Sequence, residues 1–390
     1  MSTTLRHVDT DIAIVGGGVL GLFLLNWCKK NNRNVVLIES NKLGMGQSIA
    51  SQGMIHGGQR YNLMGKLSSH AKLVNQMRSL WLDYLNGDGD FDLSTTRLIS
   101  NHQYLYQLNT LKSKLVGTFA SYWMQKRIKK LSHDEYPKWF HQECGSWYRL
   151  DEPVVDMGSL LKNLAHELQS SIIYAKPSII EQNDYRVKHI IFNDQNSECV
   201  LHAQNYFFCA GKSNQDFLSQ FGIKPTTLMQ LRPLRQFILF DAPVDFFGHI
   251  LGLDPRPSMT ITTHKHNGRR IWYLGGKIAT DYLDKDEAFY SKMIKLQLKK
   301  AYPMFDFKDL NIKHFDVDRA EPLAINGLLP DFPVINKLAS NAFMSWPIKL
   351  CLAPLVAKLM LEKISVDRKN GSCTKLDNEK LKISNYPWES

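Results

Sequence analysis

The first forty residues carry the pattern that most limits what this chain can fold into. Residues 11–15 (DIAIV) predict a buried strand, residues 22–30 predict a helix, and residues 34–39 predict a second strand. Between the first strand and the helix, residues 16–21 read GGGVLG and match G-x-G-x-x-G. A strand, a glycine turn, a helix and a strand within about 30 residues form the βαβ unit of dinucleotide-binding folds.

The motif residues have distinct expected roles in such a unit. Gly16 permits a tight turn, Gly18 lets the backbone approach a pyrophosphate, and Gly21 allows the helix to pack closely on the strand. We expect the phosphates to meet the helix N-terminus at Val19 and Leu20, where N–H groups and the positive end of the helix dipole converge.

The competing interpretation of residues 12–28 is a signal anchor or a transmembrane helix. The segment is short for a span, which needs about 20 apolar residues. Acidic residues precede it, whereas a secretory signal begins with a basic region. Glu39 also ends the second strand, where a carboxylate can accept both ribose hydroxyls of an adenosine. The sequence therefore favours dinucleotide binding.

The next segment indicates which dinucleotide is bound. Residues 40–61 form a Gly- and Ser-rich loop, SNKLGMGQSIASQGMIHGGQRY, rather than another strand. This loop resembles that of the FAD-dependent oxidoreductases of the D-amino acid oxidase (DAO) superfamily. Its IHGGQRY string, residues 55–61, is most similar to the glycerol-3-phosphate and 2-hydroxyglutarate dehydrogenase branch. The resemblance implies an α/β fold with a Rossmann-like FAD-binding domain.

The resemblance also implies which residues contact FAD. A second contact is expected at Ala210 and Gly211, where the buried strand 206–209 ends, and Ile179 is expected in the strand whose backbone meets adenine. A third is expected at Lys349 and Leu350, although family members usually have a glycine-rich loop where this chain reads SWPIK. In the N-terminal loop the expected contacts are Ser40, Gln47, Ser48, Ser51, Gln52 and Gly53.

The family builds its FAD domain from separate pieces of chain. Here these would be residues 1–75, 150–225 and 325–365, leaving 366–390 as a loosely ordered polar tail. The insertions 76–149 and 226–324 would form an α+β substrate domain. Strand-like runs at 235–240, 258–262 and 270–276 predict an antiparallel sheet there.

Catalysis would need a base and cations for an anionic substrate. His56 is the candidate base because an imidazole titrates near neutral pH; a hydrogen bond within its own loop and covalent attachment to flavin remain open. Lys349, with the following helix N-terminus, would stabilise negative charge on reduced flavin. Arg60 and Arg319 would bind the substrate anion, and Tyr273 would line its pocket.

A metal centre is not expected. His264 and His266 alternate onto one strand face, but two ligands without a third make a poor metal site. Six cysteines without a CxxC pair suit neither a zinc site nor a disulfide framework, which predicts a cytoplasmic protein.

Together these features predict an FAD-dependent oxidoreductase, either a dehydrogenase or an oxidase. It would oxidise the C–N or C–O carbon of a small anionic amino acid or hydroxy acid by hydride transfer to flavin, and pass electrons to quinone or oxygen. A net charge of +11 keeps two alternatives open: an amine oxidase acting on a modified tRNA base, and peripheral membrane contact. A non-catalytic FAD-binding or electron-transfer subunit is the third alternative.

Overall fold

The architecture is taken from a computed structural model. It describes residues 6–55, 69–108, 128–140, 145–183, 185–194, 197–252, 256–324, 329–330, 332–364 and 380–389. His56 and Arg60, two residues predicted to act on substrate, lie outside these ranges.

Seven α-helices are described. They are α1 (Val19–Lys30), α2 (Ser69–Asn86), α3 (Met157–His166), α4 (Asn214–Gln220), α5 (Ile278–Asp281), α6 (Glu287–Ala301) and α7 (Ala353–Leu361). Short 3₁₀ turns cover His133–Glu135, Gln169–Ser171, Gly211–Ser213, Pro225–Thr227 and Leu350–Leu352.

Eighteen strands are described. They are β1 (Arg6–Val15), β2 (Val35–Glu39), β3 (Leu98–Ser100), β4 (Gln103–Leu108), β5 (Ile128–Lys130), β6 (Gly145–Leu150), β7 (Val154–Val155), β8 (Ile172–Tyr174), β9 (Pro177–Asn183), β10 (Arg186–Asp194), β11 (Ser197–Phe208), β12 (Met229–Phe240), β13 (Gly248–Leu251), β14 (Met259–His266), β15 (Arg269–Gly275), β16 (Ile312–Pro322), β17 (Ile335–Ala339) and β18 (Ala342–Ser345).

The first sheet has the order β17-β18-β11-β1-β2-β8, with β10 and β9 joined to the start of β11. Strands β18, β11, β1, β2 and β8 run parallel. Val15 pairs with both Phe208 and Ile38, and Phe208 pairs with Met344, so these strands end at one edge. The predicted strand–helix–strand unit is confirmed, because the apolar run divides at its glycines into β1 and α1.

The second sheet has the order β16-β12-β15-β14-β13-β4-β6-β5, and all its pairs are antiparallel except β13 with β4. The antiparallel sheet predicted from the runs at 235–240, 258–262 and 270–276 is confirmed. One face packs on α6 through Tyr290, Ile294 and Leu298. The predicted domain bounds stay a prediction.

A short segment near the end of the described chain joins the two sheets. Leu43 donates its N–H to the Lys382 carbonyl at 2.7 Å, and Gly158 donates to the Tyr386 hydroxyl at 2.7 Å. Trp388 is buried and stacks on Tyr386, with ring centroids 4.5 Å apart. We call residues 380–389 the C-terminal segment. The prediction of a loose tail is wrong for these ten residues, because Trp388 is buried against Tyr273 of the second sheet.

His264 also packs against this segment and gives the fold a pH dependence. Burial removes its imidazole from water and lowers its pKa to about 3 from 6.5. The unfolded chain therefore binds a proton between pH 6.5 and 3 that the folded protein does not bind. This contribution to stability is complete above pH 6.5, is lost as the pH falls towards 3, and amounts to about 5 kcal/mol at most.

Denaturant unfolding between pH 7.5 and 4 should show this loss directly. His264→Phe keeps a ring beside Trp388, 4.3 Å away between centroids, and removes the titrating group. We expect the variant to lose less stability than the wild type over this pH interval. Identical pH dependence of the two proteins would contradict the assignment.

Candidate active site

The ends of β1 and β11 form a tight cradle at the carboxyl edge of the first sheet. Gly16 has φ +107°, and a Cβ there would lie 2.7 Å from both the Ala210 Cα and the Cys209 oxygen. A Cβ on Gly21 would lie 2.0 Å from the Gly16 oxygen. Only glycine fits at these two positions, which brings the start of α1 against the strand ends.

The N-terminus of α1 is suited to a phosphate group. Gly18 is its N-cap and supplies no side-chain cap, and the first turn contains no acidic residue. The Val19 N–H donates to Ser48 Oγ at 3.0 Å, which places this predicted cofactor residue beside the helix N-terminus. The positive end of the helix dipole and the polar loop thus face the same point.

Glu39 lies at the rim of the cradle. Its Oε2 accepts from the Gly17 N–H at 2.7 Å, and its Oε1 accepts from the Asn41 N–H at 2.9 Å. The Ser40 hydroxyl donates to the same Oε1 at 3.3 Å. These bonds fix the carboxylate at the end of β2, beside the glycine turn, where the sequence predicts that it binds ribose.

Two glutamines of the loop contact the second sheet. Gln47 Oε1 accepts from the Ala320 N–H at 3.1 Å. Gln52 Nε2 donates to the Tyr273 carbonyl at 2.8 Å, and Gln52 Oε1 accepts from Thr260 Oγ1 at 2.6 Å. Sequence reasoning predicted both as FAD ligands, and the structure shows that their amides join the loop to the sheet.

Tyr273 belongs to the same junction. It is fully buried, its hydroxyl donates to the Ala50 carbonyl at 3.0 Å, and burial raises the pKa of its phenol far above 10. The side chain therefore packs between the sheet and the loop. This differs from the prediction that Tyr273 lines an open substrate pocket.

Ser51 and Gly53 shape the end of the loop. The Gly53 N–H donates to Ser51 Oγ at 3.2 Å, and Gly53 has φ +71°. A Cβ on Gly53 would lie 2.0 Å from the Val155 oxygen, and the Val155 N–H donates to the Gly53 carbonyl at 2.9 Å. This loop end is thereby fixed against β7.

The second predicted FAD contact lies at the same edge as the first. Asn214 Oδ1 accepts from the Ala210 N–H at 3.0 Å, and Gly211 has φ +55°. Trp346 is buried, and its indole N–H donates to the Gly211 carbonyl at 3.0 Å. Trp346 belongs to the segment where the family usually has a glycine-rich loop. In this chain its indole binds the turn at Gly211 that is predicted to be the second FAD contact. Ile179 lies in β9 and its backbone pairs with Ile191.

Lys349 and Leu350 lie between β18 and α7. Lys349 is the N-cap of the 3₁₀ turn Leu350–Leu352, and its carbonyl accepts from the Leu352 N–H at 3.0 Å. The turn continues into α7, whose first turn contains Pro354. The sequence predicts a helix over residues 355–364, directly after Pro354. The structure confirms that helix with shifted bounds, Ala353–Leu361. Its orientation towards flavin stays a prediction.

Arg319 lies beside this turn in a charged cluster. Its Nη2 donates to the Ile348 carbonyl, and its Nε lies 3.2 Å from Glu321 Oε2. Arg232, opposite Arg319 on β12, donates from Nε at 3.0 Å and from Nη2 at 3.2 Å to the two oxygens of Glu321. We call Arg232, Arg319 and Glu321 the arginine–glutamate cluster.

Sequence reasoning missed Arg232, Glu321 and Trp346. Glu321 follows Arg319 by two residues on a strand, so the alternation of side chains could have placed both on one face. Arg232 required the register of β12 with β16, which no local pattern contains.

Within the described ranges, no group of three or more His, Cys, Asp or Glu side chains is arranged to hold a metal ion. His264 Nε2 instead lies 3.0 Å from Thr262 Oγ1, and His266 lies 3.5 Å from Glu389. Among the same residues, no helix is both long and apolar enough to span a bilayer.

Comparisons with known proteins agree with this geometry. The family model described as DAO, FAD dependent oxidoreductase, matches residues 11–360. The probable FAD-dependent oxidoreductase PA4991 of Pseudomonas aeruginosa is 34% identical over 367 residues, covering 93% of this chain and 92% of that protein. Its crystal structure superposes with a TM-score of 0.81 at 29% identity, over 98% of each chain.

More distant structures share the fold alone. Glycine oxidase from Geobacillus kaustophilus has a TM-score of 0.66 at 16% identity, over 95% of this chain and 99% of that one. L-alpha-glycerophosphate oxidase from Mycoplasma pneumoniae, with FAD bound, has 0.65 at 15%, over 93% and 97%. The glycine cradle, the helix N-terminus without an acidic residue in its first turn and the carboxylate at its rim fit FAD. The chain therefore belongs to the DAO family of FAD-dependent oxidoreductases and is an enzyme that uses FAD.

Proposed function

We propose that this enzyme oxidises the C–N or C–O carbon of a small anionic amino acid or hydroxy acid. The observation that carries the proposal is the arginine–glutamate cluster. It lies on β12 and β16, and Arg319 donates to the Ile348 carbonyl of the last predicted cofactor loop. Between Arg319 and Glu321, the Ala320 N–H donates to Gln47 of the first loop.

The position of the cluster suits an anion beside the flavin. Arg232 and Arg319 are 38% and 26% exposed in their side chains, whereas Glu321 is 1% exposed. A ligand entering from solvent therefore meets guanidinium groups, which bind carboxylates through paired N–H donors. Bound FAD supplies the acceptor for two electrons from the neighbouring carbon. Lys349 would add positive charge near the flavin, and His56 would take the substrate proton.

Anaerobic reduction of the bound flavin tests the proposal. The purified yellow enzyme is mixed without oxygen with glycine, other small amino acids, 2-hydroxy acids and glycerol phosphate, and the flavin absorbance is followed. We expect bleaching by at least one amino or hydroxy acid. The amide of the same compound lacks the carboxylate and should reduce the flavin at least roughly tenfold more slowly, since hydrogen bonds to charged groups contribute 1.5–3 kcal/mol.

Equal rates with the acid and its amide would contradict an anionic substrate. Admitting air after bleaching then tests the electron acceptor, which we propose to be oxygen or a quinone. The glycerol-3-phosphate or 2-hydroxyglutarate branch remains a narrower form of the proposal, and bleaching by those compounds would support it. A cytoplasmic location is part of the same proposal.

A further inference from the structure

We propose that Glu321 lowers the preference of this site for dianionic ligands over monoanionic ones. The inference rests on the proposed function, since it places the arginine–glutamate cluster beside the substrate. Two guanidinium groups and one carboxylate leave the cluster with a net charge of +1. Without Glu321 this charge would be +2, and the added attraction would be twice as large for a phosphate or dicarboxylate as for a single carboxylate.

The geometry of Glu321 makes it a positioning residue as well as a countercharge. Both of its oxygens are engaged by Arg232, and Gln230 Nε2 also donates to Oε1 at 3.1 Å. The carboxylate is buried beneath both arginines, so it fixes the direction of their guanidinium groups without meeting the ligand itself. Its influence on a bound anion is therefore electrostatic and acts through the arginines.

The surrounding charges support this count. Asp318, which precedes Arg319 on the same strand, pairs with Lys212, and its side chain belongs to the opposite face of β16. That pair is neutral, so it leaves the net charge of the cluster unchanged. If Glu321 served only to hold β12 to β16, its charge would not affect which anion binds. A measurement of ligand selectivity therefore separates this structural role from the proposed electrostatic one.

Propionate and malonate are matched probes, because they have three carbons each and carry one and two negative charges at pH 7.5. Their binding to the holoenzyme is measured by calorimetry and by perturbation of the flavin spectrum. Glu321→Gln should raise the ratio of malonate to propionate association constants by roughly tenfold or more, since a unit charge within about 8 Å affects a dianion twice as strongly.

A second variant covers the case in which Glu321→Gln fails to fold. Arg232→Gln lowers the net charge of the cluster to zero and should shift the ratio in the opposite direction, towards propionate. Asp318→Asn is the matched control: it removes a carboxylate from the same strand on the other face and should leave the ratio within about twofold, since that face points away from the cluster.

Each outcome decides a separate point. Binding of both probes with a ratio that neither cluster variant changes would overturn the role of Glu321 while leaving the proposed function intact. An equal shift in Asp318→Asn would overturn it too, because the effect would then be a general one of surface charge. If neither probe binds, no small anion is held beside the flavin, and the proposed function fails together with this inference.

Discussion

Gly21→Ala should give a protein that is purified without FAD. The added methyl group would lie 2.0 Å from the Gly16 oxygen, so α1 would have to move away from β1. We expect a cost of about 3 kcal/mol or more, which outweighs the gain of nearly 1 kcal/mol that alanine brings to a helix interior. Flavin content after purification and the melting temperature report the two consequences together.

Gly18→Ala is the matched control for this variant. A Cβ there meets only Ser48 Oγ, at 3.1 Å, which is the movable end of a side chain. Stability should stay close to that of the wild type, while FAD affinity falls because the backbone can no longer approach the pyrophosphate as closely. A Gly21→Ala protein that retains stoichiometric FAD would show that the helix does not pack as described.

The second large effect is expected at the C-terminal segment. Trp388 is buried against His264, Tyr273 and Tyr386, so Trp388→Ala should lower the free energy of unfolding by about 3–5 kcal/mol. Flavin should also dissociate faster, because the segment pairs with Leu43, whose neighbour Gly44 bonds the Gly17 carbonyl in the cradle. Denaturant unfolding and the rate of flavin release measure both effects.

Phe332→Ala provides the control, since this aromatic side chain is 50% exposed. It should change stability by no more than about 0.5 kcal/mol. If Trp388→Ala unfolded and released flavin as the wild type does, the C-terminal segment would lie on the surface without supporting the loop that contains Leu43.

The cofactor domain was predictable because its signals are local. The glycines at 16, 18 and 21 and the carboxylate at 39 occur at fixed spacing within one βαβ unit, and the structure places all four at one edge of the first sheet. Glycines at fixed spacing mark positions where the backbone leaves no room for a Cβ. Such positions can be recognised from a single sequence.

The arginine–glutamate cluster and the junction between the loop and the second sheet were harder to predict because their residues come together through long-range pairing. Arg232 meets Glu321 only through the register of β12 and β16, and Gln52 meets Tyr273 only where the loop crosses the second sheet. The C-terminal segment was misjudged for a related reason. Its polar composition predicts a tail, whereas two aromatic rings within three residues, Tyr386 and Trp388, determine where it packs.

The pairing of β1 has a consequence for how the protein is made. Its Val15 lies beside Phe208, so β1 gains that neighbour only after nearly two hundred further residues have been translated. Leu43 waits longer still, until residue 383 has been translated. Although β2 can pair with one edge of β1 early, the other edge of this apolar strand stays open until β11 has been translated, which favours aggregation and makes folding depend on chaperones. We therefore expect yields of intact holoenzyme to depend more on slow translation and chaperone supply than on added FAD.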